Sequence, residues 1–260
     1  MKFTLVFLVF LLGFKNFVAA AAHHEGTLSS INLGARFSSV LQKRGVVQYG
    51  DFQLDPVFSV FLLDDKLEFL GDSLDYRDFF VDETIRYRVG FSQISDNPLF
   101  PAYESIKSHY VDREDSYEVF GGLEFFLESY EKDYWGELSF SLSKDLKAHQ
   151  GYYMDAQAKL KLTQFNFLKY HIEPHAVMRV GWGDEKHNKY FYGPTATAEG
   201  VNNWAYGMWF EFPNDSDRAF PIIQIMRFQT LGENRQNAAF AKDHNEGVLF
   251  SLIATIGLLE

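Results

Sequence analysis

His171, Glu173 and His175 stand at i, i+2, i+4, two imidazoles and a carboxylate in alternating positions. On an extended strand such residues share one face, with neighbours roughly 6.5–7 Å apart. Two histidines and a carboxylate are donors that zinc or non-haem iron accepts. A flat strand nevertheless sets the two imidazoles roughly 13 Å apart, and a zinc–nitrogen bond is only about 2 Å long. One ion cannot take both, so no metal and no cofactor is expected. These residues, together with Arg179, are instead expected to line a polar interior.

The other chemistry-bearing residues follow the same alternation. Arg86 and Arg88 lie on one face of a segment, as do Glu118 and Glu124, and Lys159 and Lys161; Glu137 alternates with apolar neighbours in its own segment. Charges that share a wet interior pair across strands and fill it; a ring that selects solutes in a pore is the alternative. A serine hydrolase would draw on His109 or His149 with Ser105, Ser108 or Ser143. None of these serines sits in the Gly-x-Ser-x-Gly turn that exposes a nucleophile, and no catalysis is expected.

The elements that would position these residues are strands. Ile85, Tyr87, Val89 and Phe91 alternate with Arg86, Arg88 and Gly90. Leu138, Phe140 and Leu142 alternate with Glu137, Ser139, Ser141 and Ser143, and residues 152–162 repeat the pattern. A helix, with its period of 3.6, would scatter these charges around its axis. The longest uncharged apolar stretch of the mature chain is residues 247–259, short of the roughly 20 residues that a spanning helix needs.

Residues 1–22 read as a signal peptide, with Lys2 before the apolar run Phe3–Phe14 and small residues at Ala19–Ala22; residues 23–260 form one domain. The chain contains no cysteine, which excludes disulfides, thiol chemistry and a cysteine-linked lipid anchor. The net charge of −11, without a basic stripe, argues against nucleic acid as a partner. Aromatic residues make up 17% of the chain, which suits side chains that meet lipid and headgroups.

Twelve strands are expected, near 28–40, 44–54, 57–63, 66–78, 83–95, 117–128, 133–144, 151–163, 167–182, 201–212, 219–230 and 247–259. Pro56 would precede the third. The longest connections, 96–116, 183–200 and 231–246, then fall at one end, as in outer-membrane barrels. Trp135, Trp182, Trp204, Tyr117, Tyr134 and Tyr170 lie near strand ends, where aromatic girdles form. The fold class expected is all-β: a single antiparallel transmembrane β-barrel.

Lys189-Tyr190-Phe191-Tyr192-Gly193, Ala196–Glu199 and the aromatic strand Asn203-Trp204-Ala205-Tyr206-Gly207 resemble the MipA/OmpV family of outer-membrane proteins, also called the MltA-interacting protein family. Residues 56–63 and 66–76 are similar to that family's first hairpins. The resemblance implies a Gram-negative outer-membrane barrel in contact with outer-membrane lipids and lipopolysaccharide. It further implies scaffolding of a cell-wall enzyme complex or adhesion to a host surface. A scaffold or surface interaction protein is thus the leading expectation. A small-solute channel and an outer-membrane lipid hydrolase are the alternatives.

Overall fold

A computed structural model describes residues 28–38, 41–43, 46–49, 53–63, 66–70, 72–81, 83–94, 114–128, 135–167, 170–193, 198–212, 220–232 and 246–257. The expected signal peptide, the loop serines Ser105 and Ser108, His109, Tyr134 and the last three residues lie outside them.

Alternating segments pair with their chain neighbours until none is left over. In chain order the strands are β1 (Leu28–Ser38), β2 (Leu41–Lys43), β3 (Val46–Tyr49), β4 (Gln53–Leu62), β5 (Leu67–Leu70), β6 (Ser73–Val81), β7 (Ile85–Ile94) and β8 (Ser116–Leu127). Then come β9 (Gly136–Asp145), β10 (Tyr152–Lys161), β11 (Phe165–Phe167) and β12 (Tyr170–Gly183). After the helix α1 (Glu185–Tyr192) follow β13 (Gly200–Glu211), β14 (Phe220–Thr230) and β15 (Glu246–Gly257).

β1 pairs with both β4 and β15, and β10 pairs with both β9 and β12. The sheet therefore closes on itself as an antiparallel barrel of twelve strands, with β11 a short addition beside β12 and β2–β3 a separate hairpin. Closure removes the edges that an open sheet would expose.

The expected number of barrel strands holds, but two assignments do not. The segment 44–54 is not a barrel strand: β3 and the start of β4 divide it, and β4 runs straight through Pro56. The segment 66–78 is two strands, β5 and β6, joined by a tight turn. Pro56 faces Ala35 across the β1 ladder, and of β4 only Val60–Leu62 pair with β5. Among the described residues the first part of β4 has a neighbour on one side only, and there a missing N–H is tolerated.

The two faces of the wall are opposite in character. Register places Glu118, Glu124, Ser143, Lys159 and His175 on the inside, all buried. Leu74, Val89, Phe91, Val119, Leu123, Phe140, Leu142, Met154, Leu160, Met178, Tyr206, Ile225, Val248 and Phe250 point outward and are exposed. At one end the connections are short, such as 63–66 and 82–84; the other end carries 95–115, 184–199 and 231–245.

Candidate functional site

The candidate site is the barrel interior, built from the inner positions of facing strands. All eleven residues singled out above take inner positions. The first group gathers toward the short-turn end. Arg86 Nε donates to Glu124 Oε2 at 2.5 Å, and Arg88 bonds Asp75 and lies 3.8 Å from Glu124 Oε1. The Arg86 guanidinium also lies 5.0 Å from the centre of the Phe126 ring. Glu137 stands beside Phe126 on the facing strand.

Further round the wall, beyond β9, Lys159 Nζ donates to Glu211 Oε1 at 2.7 Å, and Lys161 Nζ lies 3.1 Å from Glu173 Oε2. His175, only 2% exposed, brings Nε2 to 3.5 Å from Glu211 Oε2. His171 is set apart: its Nδ1 lies 3.1 Å from Asn166 Oδ1 and its Nε2 3.6 Å from Glu173. Arg179 and Asp155 pair midway along the barrel, with Nε 2.7 Å from Oδ2.

This geometry revises the donor set that spacing suggested. The close trio is Glu173, His175 and Glu211, whose ligand atoms lie within 4.8 Å of one another. Glu211 enters because it lies opposite Glu173 in the β12–β13 register. Nothing in its local sequence marks it. The two carboxylates already hold the ammonium groups of Lys159 and Lys161, which supply the positive charge a metal would bring. The trio is part of an ion-pair lattice that ties β10, β12 and β13 together.

The long-loop end is packed by different means. Asp145 is buried at the end of β9; its carboxylate accepts from Ser116 Oγ at 2.6 Å and from the backbone N–H groups of His149 and Gln150 at 2.7 and 2.8 Å. This pins the turn 146–151. Next to it sits α1. Asp184 caps the helix by accepting from the His187 N–H at 2.8 Å. Gly193, at φ 99°, ends it in the left-handed region that favours glycine.

The helix presses His187, Asn188, Phe191 and Tyr192 into the mouth of the barrel. Asn188 Nδ2 donates to the carbonyls of Gly183 and Ala198 at 3.2 and 2.7 Å, and its Oδ1 accepts from Asn202 Nδ2 at 2.7 Å. A shift of register between β12 and β13 leaves Asn202 as the extra residue beside Gly181 and Trp182. Gly183 lies so close that a Cβ there would meet Asn202 and His187 at 2.5 Å. His187 stacks on Tyr153, with ring centres 4.9 Å apart, and packs on Phe191 at 4.4 Å.

Of the residues considered for hydrolysis, His149 and Ser143 are described, and they lie toward this end. His149 Nδ1 accepts from the Gly151 N–H at 2.9 Å, and its ring packs on Tyr190 at 4.8 Å. Ser143 is buried on the inner face of β9. The alternation of apolar and polar residues could not announce this second closure. Its local signs are Asp184 as a cap, the Glu185–Lys189 pair and Gly193 as a stop.

No protein-family model and no curated protein matches the chain. Among solved structures, one titled "Bacterial polysaccharide outer membrane secretin" is similar at 10% sequence identity and a TM-score of 0.45. That likeness covers 89% of this chain and 99% of the other. The barrel described above rests on the chain's own strand pairings.

Proposed function

We propose that this chain is an integral barrel of the Gram-negative outer membrane whose interior is closed, and that it acts as a scaffold or surface interaction protein rather than as a channel or a hydrolase. One observation carries the reading: the wall is apolar outside and ionic inside. In water such a surface would expose a belt of Leu, Phe, Val and Met far larger than the patches that soluble proteins leave open. In a bilayer the same belt faces acyl chains while most strand N–H and C=O groups stay within the closed ladder, the first part of β4 excepted.

Aromatic side chains support the orientation. Trp135, Phe165, Phe167 and Tyr170 are exposed at the short-turn end; Tyr152 is exposed toward the long-loop end, where Tyr117, Trp182 and Trp204 also point outward. Such belts sit at headgroup level. The long connections would face the cell exterior. A closed interior leaves function to the loops and the outer wall, in line with the scaffolding or adhesive role that the MipA/OmpV resemblance implies.

The test has two arms. In cell fractionation and gel electrophoresis with and without boiling, the protein is expected in the outer-membrane fraction and to migrate differently when unfolded by heat. Recovery in the soluble periplasm would refute the membrane reading. Reconstituted in a planar bilayer, it is expected to give no stable open step. Reproducible unitary conductance would overturn the scaffold reading in favour of the channel.

A further inference from the structure

The outer wall carries one feature that an apolar belt does not require. Gly121, Leu142 and Met154 form a row across β8, β9 and β10, outward on each strand. Glycine leaves a dent there. With Leu123, Phe125 and Phe140 on its flanks, the dent becomes an almost wholly apolar groove of about 490 Å³. A Cβ added at Gly121 would meet nothing closer than the Arg88 carbonyl oxygen at 3.8 Å, so neighbouring side chains do not fill the space. The next glycine shows the contrast: at Gly122, which faces inward, a Cβ would meet the Phe140 carbonyl oxygen at 2.5 Å.

The row above, toward the long-loop end, is Val119, Lys144 and Tyr152. Lys144 lies two residues from Leu142 on the same face, which is roughly 6.5–7 Å along a strand. Its ammonium bonds the Gln150 carbonyl and lies 4.0 Å from the centre of the Tyr152 ring. Neither partner is anionic, and among the described residues no carboxylate comes within ion-pair distance of it. Several other cations of the wall and loops are neutralised: Lys147 by Glu114, Lys159 by Glu211, Arg179 by Asp155 and Arg227 by Glu246. In a chain of net charge −11, an outward ammonium left uncompensated at the head of an apolar groove is a feature to account for.

We infer that this groove and Lys144 form a binding site for lipid A, with one acyl chain lying over Gly121 and a phosphate on the Lys144 ammonium. The inference rests on the membrane reading above. It takes lipid A as occupant because the cation lies at the long-loop end, which faces the outer leaflet in that reading, where the phosphate-bearing lipid is lipid A. An apolar slot below a lone cation matches a lipid with a fatty chain and an anionic head. The Tyr152 ring holds the lysine stem at headgroup height.

Native mass spectrometry of the full-length barrel, folded in detergent and offered lipid A, dephosphorylated lipid A or phosphatidylglycerol, tests this. The wild type is expected to retain lipid A roughly fivefold better than its dephosphorylated form, the scale of a partly exposed charge pair. Lys144→Gln is expected to abolish that preference. Gly121→Leu, which fills the groove, is expected to weaken retention of both forms, with Gly121→Ala intermediate. Heat-modified migration of each variant confirms its fold. Equal retention by wild type and variants would overturn the site. Equal, Lys144-dependent retention of phosphatidylglycerol would overturn lipid A as its occupant. A wild-type protein that stays soluble without detergent would instead sink the membrane reading, an outcome distinct from both.

Discussion

The interior at the two ends of the barrel is packed by opposite chemistry. At the short-turn end the stopper is made of full charges on the strands themselves, as in Lys159 with Glu211 and Arg86 with Glu124. At the long-loop end it is a helix held by neutral amides, Asn188 and Asn202, and by stacked rings. The first kind is built into the wall and cannot leave without unfolding the barrel. The second is an appendage that can open while the wall stays intact. Buried charge pairs lock a structure because each partner is costly alone. Amide contacts to a short helix allow local opening at a fraction of the global stability.

The largest expected effect breaks the first stopper. Lys159→Met leaves Glu211 with His175 as its remaining partner and should lower barrel stability by about 3 kcal/mol, toward the lower end for a broken buried pair because Glu211 keeps that partner and some exposure. Adding Glu211→Leu should restore most of that loss. Urea unfolding in detergent micelles measures both, and a single variant as stable as wild type would remove the lattice as the lock.

A smaller effect opens the second stopper. Asn188→Ala leaves the Asn202 amide buried without its acceptor, which costs about 2 kcal/mol. The loss should appear as faster tryptic cleavage at Lys186 and Lys189, with global urea unfolding unchanged. Loss of the whole barrel instead would show that the helix is not a separable unit.

The smallest effect sharpens the contrast. Hydrogen bonding to Lys189 holds the Glu185 carboxyl below its ordinary value of 4.5. A depressed carboxyl stabilises the helix above that ordinary value, and the contribution is lost as pH falls through the depressed one. Glu185 is fully exposed, so Glu185→Gln should leave tryptic protection at neutral pH unchanged within error. A marked loss would mean that charge, not amide packing, holds the helix.

Period-two alternation made the barrel legible, because a wall with unlike faces imposes the same alternation on every strand. It failed where a strand has lost one neighbour: β4 runs through Pro56, and the β5–β6 turn interrupts what reads as one segment. It placed Arg86, Glu124, Lys159 and Glu173 on inner faces, since parity is a property of each strand alone. It could not pair them. Glu211 became part of the cluster only through the β12–β13 register, and register is set by the folded sheet. Helix α1 escaped for a related reason. Its core contacts, Tyr153 and Asn202, come from strands on either side of it in sequence.

The short β5 has a consequence for the proposed membrane setting. Its four residues span roughly 13 Å, whereas the fourteen of β12 span roughly 46 Å, against a hydrocarbon band about 25 Å tall. One flank of the cylinder is therefore a low sill and the opposite flank a high rampart. In the membrane setting proposed above, lipids beside the sill would shorten their reach or splay to meet it, which would make that side a standing point of thinning in the bilayer.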